Sequence, residues 1–407
     1  MFKTYNRVFK YDIISNRIKY FKGMYKMIYF DNSATTKIEP TVLETYLKVS
    51  EQFFGNPSSL HLLGDTPAKL LAQSRAQIAN EIGVHPNEIF FTSGGTEGDN
   101  WAIKGTAFEK KRYGKHIITS TVEHPAVYES MKQLESFGWD ITFLPVDEKG
   151  LISPDDLKDA IREDTVLVSI IAVNNEVGTV QPIQEIGEIL RAHPSIHFHV
   201  DAVQALGIID LDLGSASRVD MAVFSGHKFR APRGIGFIYL KDGRKIAPLL
   251  TGGGQESDMR SGTENLPAIA AMSRAVRLTM DNEEAKRTHL RKLQTKLRKH
   301  LETKEKVEVF SPEMHAPHIL CFGIEGIRGE VTVHAFEEYD IFISTTSACS
   351  SRAMDVDSST LSAMGVPKHI AETANRVSFS AENTEAEVDE FIKKFDEVYE
   401  KFQVING

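Results

Sequence analysis

An α/β fold, with a large and mostly parallel sheet covered on both faces and joined to a smaller α/β unit, is what the sequence predicts. Three observations carry that expectation. Between about residue 41 and residue 240, short continuous apolar runs alternate with amphipathic helical patterns, as in a sheet buried on both sides. After Gly254 the texture changes to long helices followed by shorter strands. At 407 residues the chain is also longer than one ordinary core holds.

The elements follow in order. Thr41–Phe53 and Thr66–Ile82 space their apolar residues at helical period, and Ile89–Thr92 is a short buried strand. Helix Glu97–Lys111, strand His116–Thr119, helix Ala126–Phe137 and strand Ile141–Val146 come next. Ser153 and Pro154 supply a cap and a first-turn proline for helix Asp155–Arg162. Strand Val166–Val173, helix Ile183–Ala192 and the strands His197–Val200, Met221–Phe224 and Gly236–Leu240 complete the series. Beyond Gly254, Leu266–Leu278, Glu283–Leu301 and Glu385–Phe402 read as helices. The expected division is 41–280 as a large domain, with 27–40 returning to join 281–407 in a small one.

Composition narrows the class. Hydrophobic content of 41% and charged content of 25% suit a water-soluble globular protein, and no apolar stretch is long enough to span a membrane. A net charge of -9 argues against a dedicated nucleic-acid binder. Residues 1–26 carry seven Lys or Arg against Asp12 alone, a net of +6, which leaves -15 for the rest. With no apolar core for a secretory signal, this segment is read as an extension outside the fold, disordered or arising from an upstream start codon, with Met27 opening the first strand. The basic stretch Lys286–His300 reads as a solvated helix face, with contact to an acidic partner or a tRNA-bound enzyme as the alternative. Two cysteines, Cys321 and Cys349, give no disulfide framework and suit a reducing cytoplasm. Cys321 lies in an apolar run and reads as core; Cys349, among small polar residues, is either an incidental loop thiol or a reactive one.

In an open α/β sheet, ligands bind beyond the carboxyl ends of the strands. Strand 89–92 runs into Ser93-Gly94-Gly95-Thr96-Glu97 and a helix, which is either a tight turn or an anion cradle at a helix N-terminus. His124 follows strand 116–119, as a helix cap or as a flat group that stacks on a ring and moves a proton. Asn174 and Asn175 follow strand 166–173, capping a turn or facing a ligand. Asp201 follows strand 197–200, and a buried acid needs a partner, whether a structural one or a pyridinium N–H. His197 and His199 share a strand face, but no further ligand stands at metal spacing, so no metal site is expected. Lys228, in Ser225-Gly226-His227-Lys228, is either a solvated charge or an amine that attacks an aldehyde. Together these are the four parts that hold pyridoxal phosphate: a phosphate cradle, a ring face, an acid for the ring nitrogen and a lysine for the aldehyde.

At this point the sequence resembles the cysteine desulfurases, fold-type I pyridoxal-phosphate enzymes akin to class V aminotransferases, from about Ile28 to Phe402. The motifs are Asp31-Asn32-Ser33-Ala34-Thr35-Thr36, Gly55-Asn56-Pro57-Ser58-Ser59, Ser93–Thr96, Glu123-His124-Pro125, Asn174-Asn175-Glu176, Asp201–Gln204, Ser225–Lys228 and Arg260-Ser261-Gly262-Thr263. The loop Ser347-Ala348-Cys349 is similar to that of the group containing the iron–sulfur-cluster and nitrogen-fixation enzymes. The resemblance implies a seven-stranded large sheet, with Lys228 holding pyridoxal phosphate as a Schiff base. Asp201 would meet the ring nitrogen and Gln204 the ring hydroxyl. Gly95, Thr96, Ser225 and His227 would bind the phosphate, and Thr263 the phosphate of the neighbouring subunit in a homodimer. His124 would stack on the ring and move protons, Asn175 would lie between the ring hydroxyl and the substrate, Asn175 and Arg376 would take the substrate carboxylate, and Cys349 would receive sulfur from L-cysteine as a persulfide, leaving L-alanine. Arg352-Ala353-Met354-Asp355-Val356-Asp357 departs from the run of housekeeping members, which leaves the acceptor open between a cluster scaffold and a tRNA-thiolation enzyme. The alternatives are a pyridoxal-phosphate aminotransferase and a selenocysteine lyase on the same fold.

Overall fold

A computed structural model describes residues 27–313, 315–346 and 360–406. The segment 1–26, Cys349 and the divergent run 352–357 lie outside the described residues. The large sheet has seven strands: β2 (Ile89–Thr92), β3 (His116–Ser120), β4 (Asp140–Leu144), β5 (Thr165–Ile171), β6 (His197–Asp201), β7 (Met221–Ser225) and β8 (Gly236–Leu240), after the short β1 (Ile28–Tyr29). Their spatial order is β2-β8-β7-β6-β5-β3-β4. Only β8 runs against its neighbours β2 and β7; the other pairings are parallel. Every residue of β3, β5, β6, β7 and β8 is buried, which is why these strands read as unbroken apolar runs rather than alternating ones.

Helix Gly95–Lys110 covers one face, packing Trp101, Ile103 and Ala107 against Met221, Val223 and Ile238. On the other face helices Pro40–Gln52 and Leu62–Glu81 meet helix Leu266–Met280, and Ile78, Met272 and Val276 join Phe224, Phe237 and Tyr239.

A second, antiparallel sheet contains β9 (Val307–Val309), β10 (Ile319–Ile324), β12 (Ser344–Thr345) and β13 (Ala374–Ser378), in the order β12-β13-β10-β9. β1 pairs in parallel with β11 (Ile341–Phe342), and Asp31 just beyond it bridges to Ser378 on β13. Cys321 lies within β10 with no exposed surface, so it is core. Phe336, Phe391 and Phe395 form the aromatic centre of this unit, with the Phe336 and Phe391 rings stacked at 4.6 Å.

Part of the basic stretch of helix Glu283–Leu301 is paired within the chain, while Lys292 and Lys299 stay exposed. Helix Glu385–Asn406 lies beside it and supplies acids: Lys292 meets Glu385 at 2.6 Å, Lys296 meets Asp389 at 2.6 Å, and His300 and Lys304 both meet Asp396. Such pairs at a surface contribute at most about 1 kcal/mol each, and here they set the register of two helices already joined by apolar contacts.

Candidate active site

The carboxyl ends of the large sheet and the near edge of the second sheet enclose a pocket of about 300 Å³. Gly95, Thr96, His124, Asn175, Asp201, Gln204, Ser225, His227, Lys228 and Arg376 all line it. Thr263 does not, and is exposed on its own chain.

One end of the pocket is a cradle. β2 stops at Thr92, the chain turns at Gly94 with φ 153°, a value that favours glycine, and the helix starts at Gly95. A Cβ on Gly95 would come within 2.7 Å of Val203, and one on Gly98 within 2.6 Å of Val223, so the missing side chains let the helix N-terminus sit against β6 and β7. Ser225 closes β7, and His227 lies on the turn Gly226–Lys228. Arg233, not singled out in the sequence, lines the same mouth and adds a cation. Glu97 is committed elsewhere: it accepts the Ser93 N–H at 2.8 Å and pairs with Arg260 at 2.7 Å.

At the pocket's centre, Asp201 ends β6, and its Oδ1 accepts the Val203 N–H at 3.0 Å. Burial, reinforced by Asp99, pushes its carboxyl up to about 7. It is thus both turn cap and pocket residue. His124 also has two tasks. Its Nδ1 accepts the Ala126 N–H at 3.1 Å as cap of helix Pro125–Ser136. Burial and the neighbouring Lys228 charge hold its pKa down at about 4, so the imidazole is neutral with its proton on Nε2. Lys228 donates to Ser33 O and to Ala34 O, the latter at 3.1 Å. Gln204 donates to Ser33 O at 3.0 Å, and its Oε1 lies 3.3 Å from His318 Nε2.

The far end belongs to Arg376 on β13, which is 6% exposed. Its guanidinium donates to the Asn175 carbonyl at 2.8 Å, to Asp31 Oδ1 at 3.0 Å and to Ser344 Oγ at 3.1 Å. Its Nε is buried without a hydrogen-bond partner among the described residues. The two asparagines divide their work: Asn174 Oδ1 caps the turn by accepting the Glu176 and Val177 N–H groups at 2.9 Å, while Asn175 faces the pocket. Asp31 was visible in the sequence only as part of a motif, with no role; the ion pair to Arg376 spans 345 residues and has no local signature.

The comparisons with known proteins agree with this geometry. The family model for class-V aminotransferases matches residues 28–391. A "NifS/IcsS protein homolog" from Lactobacillus delbrueckii subsp. bulgaricus is 56% identical, over 93% of this chain and 99% of its own. "Cysteine desulfurase IscS" from Methanosarcina thermophila is 43% identical over 93% of each chain. The chain belongs to the cysteine desulfurase family. Among solved structures of similar fold, a "NifS-like protein" at 38% identity superposes with a TM-score of 0.86, covering 91% of this chain and 99% of that one. Another, described as "SspA in complex with cysteine", is 34% identical with a TM-score of 0.76 over 88% and 100% of the two chains.

Cysteine desulfurases, like the class-V aminotransferases at large, depend on pyridoxal phosphate, and the residues present fit that group. The Gly94–Gly95 cradle is a space that a Cβ would fill, with helix N–H groups, Ser225 and His227 around it. Asp201 is a buried acid on the pocket wall, and such an acid suits a pyridinium N–H.

Proposed function

We propose that this protein is a cysteine desulfurase that removes sulfur from L-cysteine, forming L-alanine and a persulfide on Cys349. The observation that carries the reading is the convergence of Lys228, Asp201, His124 and Arg376, from two sheets, on one pocket. Lys228 would hold pyridoxal phosphate, with Asp201 at the ring nitrogen, Gln204 at the ring hydroxyl, and Gly95, Thr96, Ser225 and His227 at the phosphate. When bound, the cofactor supplies an electron sink that makes the substrate Cα–H acidic and its C–S bond breakable.

The chain's own groups do the rest. Arg376 and Asn175 orient the substrate carboxylate, and the guanidinium reaches it as a fork. The Lys228 amine, once the substrate amine has replaced it, is placed to take the Cα proton. His124 would stack on the ring and work through Nε2, because Nδ1 is occupied as a helix cap. The Cys349 thiolate attacks the substrate sulfur: an S–S bond forms and the C–S bond breaks. The carbon takes up a proton to become the alanine methyl group, and no external oxidant is needed. In this reading 41–280 carries the cofactor, and 27–40 with 281–407 carries Cys349. The exposed position of Thr263 suits a homodimer in which it serves the partner's phosphate site. No helix among the described residues is long and apolar enough to cross a membrane, and we place the protein in the cytoplasm, passing sulfur to a cluster scaffold or a tRNA-thiolation enzyme.

The test is to incubate the purified protein with L-cysteine, a reductant and no keto acid. Alanine and sulfide should appear in equal amounts. Alanine formed only when a keto acid is added would mean an aminotransferase instead.

A further inference from the structure

One acid on the pocket wall has no part in the proposed reaction. Asp31, just beyond β1, lines the pocket together with Arg376 and Ser344. Sheet pairing brings the three together. Ser344 on β12 stands opposite Arg376 on β13, and Asp31 bridges to Ser378, two residues along the same strand. The backbone of Asp31 is pinned, since its carbonyl accepts the Ala34 N–H at 3.1 Å and the Thr35 N–H at 3.4 Å. Its side chain is 21% exposed, against 7% for that of Arg376. The acid therefore keeps a side toward water and can turn away, while the guanidinium stays where β13 puts it.

The donors of Arg376 are unevenly divided. One Nη1 proton goes to the Asn175 carbonyl. Both Nη2 protons are taken, one by Asp31 Oδ1 at 3.0 Å and one by Ser344 Oγ at 3.1 Å. A guanidinium offers a carboxylate either Nε with Nη2 or Nη1 with Nη2, and each of these forks contains Nη2. A substrate carboxylate bound as a fork must therefore take Nη2 from its present partners. Ser344 is neutral and yields without a change of charge. Asp31 is the costly one. Burial raises its carboxyl, but the charge and hydrogen bond of Arg376, the Lys228 charge and the Ser344 hydroxyl all oppose that rise, and the paired carboxylate is an anion at neutral pH.

We propose that Asp31 is a positioning residue that sets the affinity of the site for amino-acid carboxylates: between turnovers it holds Arg376 by Nη2, and it competes for that nitrogen with the carboxylates of incoming cysteine and departing alanine. This rests on the reading that Arg376 takes the substrate carboxylate. Both amino acids carry the same group, so the competition weakens both alike and speeds release of the product.

Asp31→Asn keeps an oxygen acceptor for Nη2 and removes the charge. With the holoenzyme, initial rates of sulfide release under reductant are measured against cysteine, with L-alanine or cysteamine added as inhibitor. The KM for cysteine and the inhibition constant of alanine should both fall by about tenfold, the order expected when one like charge about 5 Å away is removed from a half-buried site. The kcat should stay within about threefold of wild type. Cysteamine has no carboxylate, and its inhibition constant should change by less than about twofold. A merely structural role predicts otherwise, with KM raised or kcat lowered and cysteamine affected along with alanine. Asp31→Ser serves where a thermal melt shows that Asp31→Asn fails to fold. A KM and an alanine constant that rise, or stay within about twofold of wild type, overturn the proposal. Arg376→Lys tells the two failures apart. If it raises the cysteine KM, only the role of Asp31 falls; if it leaves that KM unchanged, the placement of the carboxylate at Arg376 falls with it.

Discussion

Arg376→Lys isolates the recognition of the substrate carboxylate. The guanidinium is buried, anchored to the Asn175 carbonyl, Asp31 and Ser344, and two of its five N–H donors, the Nε proton and one on Nη1, remain unused among the described residues. Lysine keeps the positive charge, so Asp31 is not stranded; alanine would leave that carboxylate unpaired at a cost of about 3–5 kcal/mol, and a loss of fold would mask the effect. A single ammonium cannot hold Asp31 and also bind a carboxylate as a fork. The loss is about one hydrogen bond to a charged group, roughly 1.5–3 kcal/mol. That corresponds to a KM for cysteine raised between about tenfold and a hundredfold. The contact is the same in ground and transition states, so kcat should change by less than about threefold. The assay is the initial rate of alanine formation against cysteine concentration, with a thermal melt as control. Cysteamine, which lacks the carboxylate, should inhibit the variant and the wild type equally. A KM within about twofold of wild type, or a fall in kcat alone, would refute the assignment.

Other predictions follow from the same site. Cys349→Ala should keep the yellow cofactor absorbance and release no sulfide from cysteine under reductant; retained turnover would contradict the nucleophile. Lys228→Ala should purify without that absorbance and form no alanine. Glu123→Gln tests the buried acid cluster by its pH dependence. Burial raises the Glu123 pKa from 4.5 to about 8, so ionisation costs the folded state more as pH rises from the lower value to the upper. The amide keeps the acceptor for Ser120 and Ile171, so the variant should melt about 2 °C or more higher than wild type at pH 8 and equally with it at pH 4. A difference that is constant with pH would contradict the raised pKa.

The large sheet was legible because its strands are buried on both faces and read as apolar runs. The strand-end rule then pointed to Lys228, Asp201, His124 and Asn175 without any distant information. Asp201 and His124 each serve as a cap, one of the readings weighed for them, and each also lines the pocket. Element ends were less legible. The helix expected over Asp155–Arg162 stops at Ala160, because Ile161 turns extended (ψ 128°). The helix expected from Thr66 begins at Leu62 and runs through Pro67, which removes one backbone N–H and crowds the Leu63 carbonyl a turn earlier. What stayed hidden were partners far apart in the chain. Asp31 beside Arg376, Asp99 beside His199, His318 beside Gln204, and the acids of helix Glu385–Asn406 beside Lys292–His300 are joined by packing, which no local pattern encodes. Arg376 itself was found through the family resemblance, not through spacing.

The central claim, that sulfur leaves cysteine onto this protein's own thiol, is tested most directly by a single turnover without reductant. The protein is mixed with one equivalent of L-cysteine, alkylated, digested and analysed by mass spectrometry. The account predicts one equivalent of alanine and one added sulfur atom on the peptide containing Cys349, with Cys321 unmodified. Alanine accompanied by free sulfide and an unmodified Cys349 would contradict it.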